Sequence, residues 1–247
     1  MKKIAVKFLA LIAFVTLLNC SGSDSPEYNI EEEQEEQEEQ DSGIPLTPHE
    51  GIPSPFNLFT VIDDDVERKD FNTVSKWYEE SANKQIFKLF IGDEFVGERK
   101  HARTEAGQGL KWKEGVEWHT FEATMMPSDK LHETYTIAQL FAGCCGPQLR
   151  VEVRSNGRIH VGSRSNGNIR ISSDEDWANG AKSFKIKIRS NGKDMEVYFN
   201  DELKFTGISE ESTLGNIDAL YHFRWGVYSN NKMIKNLSNT VTNITRV

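Results

Sequence analysis

The octapeptide Tyr221-His222-Phe223-Arg224-Trp225-Gly226-Val227-Tyr228 alternates without a break. As a strand it puts Tyr221, Phe223, Trp225 and Val227 on one face and His222, Arg224, Gly226 and Tyr228 on the other. The first face is large and apolar and belongs in a core. The second holds an imidazole, a guanidinium and a phenol, groups that move protons or bind anions. Gly226 is expected to leave open space among them. Such a strand fits the floor of a binding groove, and it also fits the polar outer face of an ordinary antiparallel strand.

Two further stretches offer matching chemistry. In His101-Ala102-Arg103-Thr104-Glu105 a strand places His101, Arg103 and Glu105 on one face. The planar fork of Arg103 suits a carboxylate, and Glu105 two residues on can hold that fork in place. A cross-strand salt-bridge face would use the same residues. In Tyr135-Thr136-Ile137-Ala138-Gln139-Leu140-Phe141 the polar exception is Gln139, with Ile137 and Phe141 expected on its own face. A buried amide must find partners in the backbone or point into a site.

Together the three stretches resemble the alginate lyases of polysaccharide lyase family seven. That family has an Arg-Ser/Thr-Glu-Leu strand, then Gln-Ile/Val-His, then Tyr-Phe-Lys-Ala-Gly-Val-Tyr-Asn-Gln. The corresponding segments are Arg103-Thr104-Glu105, Gln139-Leu140-Phe141 and the run from His222 to Asn230. Gln148-Leu149-Arg150-Val151 and Val197-Tyr198-Phe199-Asn200 also look like family strands, so the resemblance spans about residues 100–247. Phe141 stands where the family has histidine, His222 where it has its first tyrosine, and Ala106 and Gly107 follow the Arg-Thr-Glu motif.

The resemblance implies β-elimination on a polyuronate. The C5 proton of a uronate becomes removable only when the C6 carboxylate is neutralised, a task for Arg103 and Gln139. Tyr228 matches the family tyrosine that handles protons as base, acid or both. Where proton and leaving group lie on one side of the ring, one tyrosine suffices. Where they lie on opposite sides a second group is needed, and His222 or His101 would replace the missing histidine. Substrate-binding positions carried over are Glu105, Arg224, Arg150 and Asn230. No cofactor or metal is expected, because protein donors neutralise the charge. The alternatives are a lyase for another polyuronate such as glucuronan, or a non-catalytic carbohydrate-binding domain of the same shape. A glycoside hydrolase would need two carboxylates facing the groove, and Glu105 is the only acid in the three motifs.

The elements that must position these residues read as mostly strand. Segments 86–91, 119–125, 135–141, 149–154, 158–163, 184–189, 195–199, 222–228 and 240–247 alternate or are rich in β-formers. Ser-Asn-Gly recurs at 155–157, 165–167 and 190–192, and Asn200-Asp201 follows another strand. These are hairpin turns. Short helices are expected at 73–83 and 209–214. The fold class is all-β: a β-sandwich or jelly roll with one concave antiparallel sheet.

The chain divides into three parts. Residues 1–20 read as a lipoprotein signal peptide: Lys2, Lys3 and Lys7, an apolar run from Phe8 to Leu18, then Leu17-Leu18-Asn19-Cys20 like a lipobox. Lipidated Cys20 would tether the protein to a bacterial outer membrane, exposed at the cell surface. Residues 21–51 read as a disordered acidic tether. Residues 1–51 hold 3 Lys/Arg and 11 Asp/Glu of the chain's 29 and 38, leaving 26 against 27 for residues 52–247. The domain at 52–247 is therefore nearly neutral, which argues against nucleic acid as a partner. A monomer is the expectation. The adjacent Cys144 and Cys145 form no metal pattern and read as small buried residues or one vicinal bridge.

Overall fold

The computed structural model describes residues 77–81, 83–91, 102–108, 110–229 and 233–247, and the backbone alone of 56–61 and Glu80. Cys20, the expected signal peptide and tether, His101 and Asn230 lie outside the described residues.

The strands in chain order are β1 (Phe56–Val61), β2 (Tyr78–Ser81), β3 (Lys84–Leu89), β4 (Ala102–Gln108), β5 (His119–Pro127), β6 (Tyr135–Ala142), β7 (Gly146–Val153), β8 (Ile159–Ser163), β9 (Gly167–Arg170), β10 (Phe184–Ser190), β11 (Asp194–Phe199), β12 (Glu202–Ile208), β13 (Tyr221–Ser229) and β14 (Leu237–Arg246). They form two seven-stranded sheets, β1-β4-β13-β6-β7-β8-β9 and β12-β11-β10-β5-β14-β3-β2. All pairings within them are antiparallel, and the architecture is a jelly roll.

Local sequence explains the hairpins. Each Ser-Asn-Gly lies in a turn, joining β7 to β8, β8 to β9 and β10 to β11. Asn200 and Asp201 close the β11–β12 hairpin with φ of 50° and 68°, the left-handed values a two-residue primed turn requires. Period-two burial then builds the core. On β10, Phe184, Ile186 and Ile188 are buried while Lys185, Lys187 and Arg189 alternate outward. Opposite them Phe223 and Trp225 of β13 point inward, and Phe121 of β5 stacks on Trp225 at 5.0 Å between ring centres. Each of these buried aromatics contributes about 2 kcal/mol or more through the area it removes from water. Two buried hydrogen bonds pin the sheets together. The Trp225 Nε1–H donates to Gln85 Oε1 at 2.9 Å, and the Asn239 amide donates to the Gly226 carbonyl at 3.0 Å.

One expected helix does not form over the described residues. Within 73–83, Tyr78–Ser81 is the edge strand β2, paired with β3. Tyr78 is buried and meets Phe87 at 5.2 Å, so pairing and burial override a weak helical pattern. The other expected helix forms as α1 (Glu210–Thr213). Ser209 caps its N-terminus, its hydroxyl oxygen accepting from the Ser212 N–H at 3.2 Å.

Candidate active site

The central strand β13 lies between β4 and β6, and this order assembles the site. Against β4, Tyr228 faces Arg103 and Gly226 faces Glu105. Against β6, Arg224 faces Gln139 and His222 faces Phe141, and Gln139 in turn faces Arg150 of β7. Arg103, Gln139, Phe141, Arg150, Arg164 and Tyr228 line one groove of about 480 Å³ on the outer face of this sheet.

Two expectations about this face need correction. Gly226 does not leave open space. Its φ is +141°, and a Cβ there would stand 2.3 Å from the Thr104 carbonyl oxygen and 2.8 Å from Glu105 Cα. The glycine is required because β4 and β13 approach so closely, at a point where β13 bulges against β6 between Trp225 and Tyr228. Ile137 does not share the face of Gln139. The ladder from β6 to β7 shifts between Thr136 and Ala138, so Ile137 joins the buried core. Thr136 lines an outer cleft beside Glu152 instead. A bulge resets the parity that simple alternation assumes.

At the centre of the site is Glu105, buried at 1 % exposure. Its Oε1 accepts from Gln139 Nε2 at 2.6 Å, and its Oε2 lies 3.9 Å from Arg103 Nη1. Burial pushes the Glu105 carboxyl above its ordinary range, while Arg103, Arg224, the Gln139 bond and Arg150 oppose that shift. Three guanidiniums, those of Arg103, Arg224 and Arg150, thus act on one buried carboxylate. Arg103 Nε, Arg150 Nε and Glu105 Oε2 are buried without a hydrogen-bond partner. Unpaired donors on partly buried cations mark a place for acceptor oxygens. The Tyr228 ring stands below two of these cations, with Arg103 at 4.6 Å and Arg150 at 5.6 Å from its centre.

His222 and Phe141 support Arg224. The Arg224 Nε–H donates to His222 Nε2 at 3.0 Å, and the guanidinium lies 3.6 Å from the centre of the Phe141 ring. Burial first, then Arg224 and Lys111, push the His222 pKa down to about 3, with the Leu220 backbone opposing. The imidazole is therefore neutral at neutral pH, and its acceptor nitrogen is already engaged.

Sequence reasoning missed parts of the groove. Arg164 lines it while pairing with Glu210 at 2.8 Å. Its signal was the arginine that precedes each Ser-Asn-Gly turn. Cys144 and Cys145 are joined as a vicinal disulfide and line the groove as well. Their adjacency left that open, and nothing in the spacing placed them beside Gln139. Beyond Arg150 a second polar cleft contains Glu152, Arg154 and Asn168.

The chain matches no curated protein by sequence. Solved structures share its fold. It is similar to alginate lyase AlgAT5 of polysaccharide lyase family 7 at 14% identity, with a TM-score of 0.60 over 78% of this chain and 93% of that one. It is also similar to the alginate lyase from Corynebacterium sp. (12% identity, TM-score 0.57, 69% and 80% covered). The marine alginate lyase AlyA1 from Zobellia galactanivorans stands at 14% identity and a TM-score of 0.55, with 69% and 80% covered. At the level of sequence the alginate lyase family matches residues 52–243, reaching through β1, β2 and β3 beyond the motifs that first suggested it. The chain belongs to the alginate lyase family.

Proposed function

We propose that this polysaccharide lyase cleaves polyuronates whose C5 proton and C4 oxygen lie on the same face of the ring, with Tyr228 serving as both base and acid. That relation holds in mannuronate and glucuronate and is reversed in guluronate. Arg103 and the free N–H of Gln139 hold the C6 carboxylate, with Arg150 adding to the positive field. Glu105 fixes the Gln139 amide by accepting its other N–H. As Tyr228, acting as the phenolate, accepts the C5 proton and becomes the phenol, negative charge develops on the carboxylate, where the clamp stabilises it. The C5–H electron pair becomes the C4=C5 double bond, the C4–O4 bond breaks, and O4 receives a proton from Tyr228. No water is consumed, and one product carries an unsaturated end.

The observations that support the same-face preference concern Phe141, which lines the groove, and His222, which pairs with it across β6 and β13. Phe141 occupies the β6 position and carries no proton, and His222 accepts from Arg224 with its pKa near 3. Neither is suited to protonate a leaving group on the far side of the ring. The Arg103 and Arg150 guanidiniums that line the groove, each with an Nε–H lacking a partner, support an anionic substrate.

We also propose, from Lys2, Lys3, Lys7 and the run ending in Cys20, that residues 21–51 tether the enzyme to a lipid-anchored Cys20 at the cell surface.

The test is the ultraviolet absorbance of the unsaturated product on a panel of polymannuronate, glucuronan and polyguluronate. Cleavage confined to either of the first two is the expected result. Polyguluronate cleaved as fast as the others would overturn the same-face assignment.

A further inference from the structure

The strongest feature that the proton chemistry leaves unused is the turn between β6 and β7. Phe141, Gly143, Cys144, Cys145, Gly146 and Pro147 all line the groove that holds Arg103, Gln139, Arg150 and Tyr228. Cys144 is exposed, and Phe141, Cys145 and Pro147 are half-buried. The bridge between adjacent cysteines closes a small ring that presents carbon and sulfur with no hydrogen-bond donor on its side chains. The bridge and Pro147 are thus an apolar strip in a groove that is otherwise cationic, with the Arg164 guanidinium beside Gly146 and that of Arg224 against one face of Phe141.

The turn is fixed from behind. The Gly143 N–H donates to the Leu220 carbonyl at 2.8 Å, and the Cys145 N–H to the Ala142 carbonyl at 3.0 Å. The Asn216 amide lies 3.4 Å from Cys144 Sγ and 3.6 Å from Cys145 Sγ, and it also donates to Glu211 Oε2 at 3.0 Å. Gly146 has φ of +95°, a value that lets the chain turn back into β7 directly after the bridge. The disulfide is thus a stiff surface, backed by α1 and the loop after it.

We propose that the Cys144–Cys145 disulfide, with Phe141 and Pro147, is a sugar-binding shelf. It takes the apolar C–H face of the pyranose next to the one whose carboxylate the arginines hold. The occupant follows from the shared groove. A polyuronate chain threaded past Arg103 and Arg150 must lay its neighbouring ring along this wall. A pyranose offers a flat C–H face to an apolar surface and keeps its hydroxyls and carboxylate at the edge. This inference rests on the polyuronate reading of the site, but it concerns binding and not the proton transfer.

The experiment is therefore a binding measurement. Calorimetry on the Tyr228→Phe protein with oligouronates of increasing length is compared with the same protein also carrying Cys144→Ser and Cys145→Ser. Oligomers long enough to reach the shelf should bind about tenfold more weakly without the disulfide, the scale of losing one small apolar contact area. The shortest oligomer that binds should be unaffected. Reducing the disulfide with a phosphine in the otherwise unaltered protein should raise KM for long oligomers and leave kcat nearly constant. Equal affinity with and without the disulfide, or equal weakening at every length, would overturn the shelf. Failure of the elimination reading is separate, because it shows as no unsaturated product from wild type, whereas the binding comparison needs no turnover.

Discussion

The two sheets present outer faces built from the same residue types and arranged to opposite effect. On the face of β5, β10 and β11, each cation meets an acid. Lys187 reaches Glu122 at 2.9 Å, Lys185 reaches the same carboxylate at 3.7 Å, and Arg189 reaches Glu196 at 2.8 Å. These groups are part-exposed, and pairs of that kind contribute little to stability. On the face of β4, β13, β6 and β7, Arg103, Arg150 and Arg224 all act on Glu105, and that carboxylate is buried. Alternation along a strand writes both faces in the same way. What separates a solvated face from a binding site is how many cations act on one buried acid once strands distant in sequence are brought side by side.

Arg103→Ala is the sharpest way to break that contrast. Removing one arm of the clamp should lower kcat/KM by about a thousandfold, because the charge acts in both ground and transition states. Lys187→Ala on the opposite face should leave activity unchanged and shift stability by no more than about 0.5 kcal/mol. Steady-state kinetics and denaturant melts of the two variants check the pair.

Gly226→Ala tests whether the close approach of β4 and β13 builds the site. A Cβ there cannot coexist with the Thr104 carbonyl in the present backbone. The expected cost is about 3 kcal/mol or more, read as a lower denaturation midpoint, with activity lost beyond what unfolding explains.

His222 gives a smaller, pH-dependent effect. Its folded pKa of about 3 lies below its ordinary value of 6.5. The unfolded chain therefore binds the proton first as pH falls, and stability is lost between those two values. His222→Gln should remove most of that acid sensitivity, measured by melts across the range. Glu105 works in the opposite sense. Its carboxyl is raised above 4.5, so its contribution fades as pH rises through the folded value.

Much of this was legible in the chain. The alternation from Tyr221 to Tyr228 gave the buried and polar faces of β13, and the Asn-Gly turns gave three hairpins. The groups on Arg103, Gln139 and Tyr228 were visible as candidates, each on its own strand. Their convergence was not, since β4, β6 and β13 become neighbours only through long crossovers. Local pattern also failed where geometry is irregular. Ile137 was assigned the wrong face because a bulge shifts the register, and Gly226 was taken for a gap when it is a point of contact. At 73–83 a weak helical pattern lost to pairing with β3. The disulfide's place in the groove depends on the β6–β7 turn, which adjacency of two cysteines does not specify.

The account rests most heavily on Tyr228 as the proton carrier within the arginine groove. Tyr228→Phe keeps the ring beneath Arg103 and Arg150 and removes only the hydroxyl. Product absorbance under saturating polyuronate should show turnover falling about a hundredfold or more, with substrate affinity changed by no more than about twofold. A Tyr228→Phe protein that cleaves as fast as wild type would contradict the account.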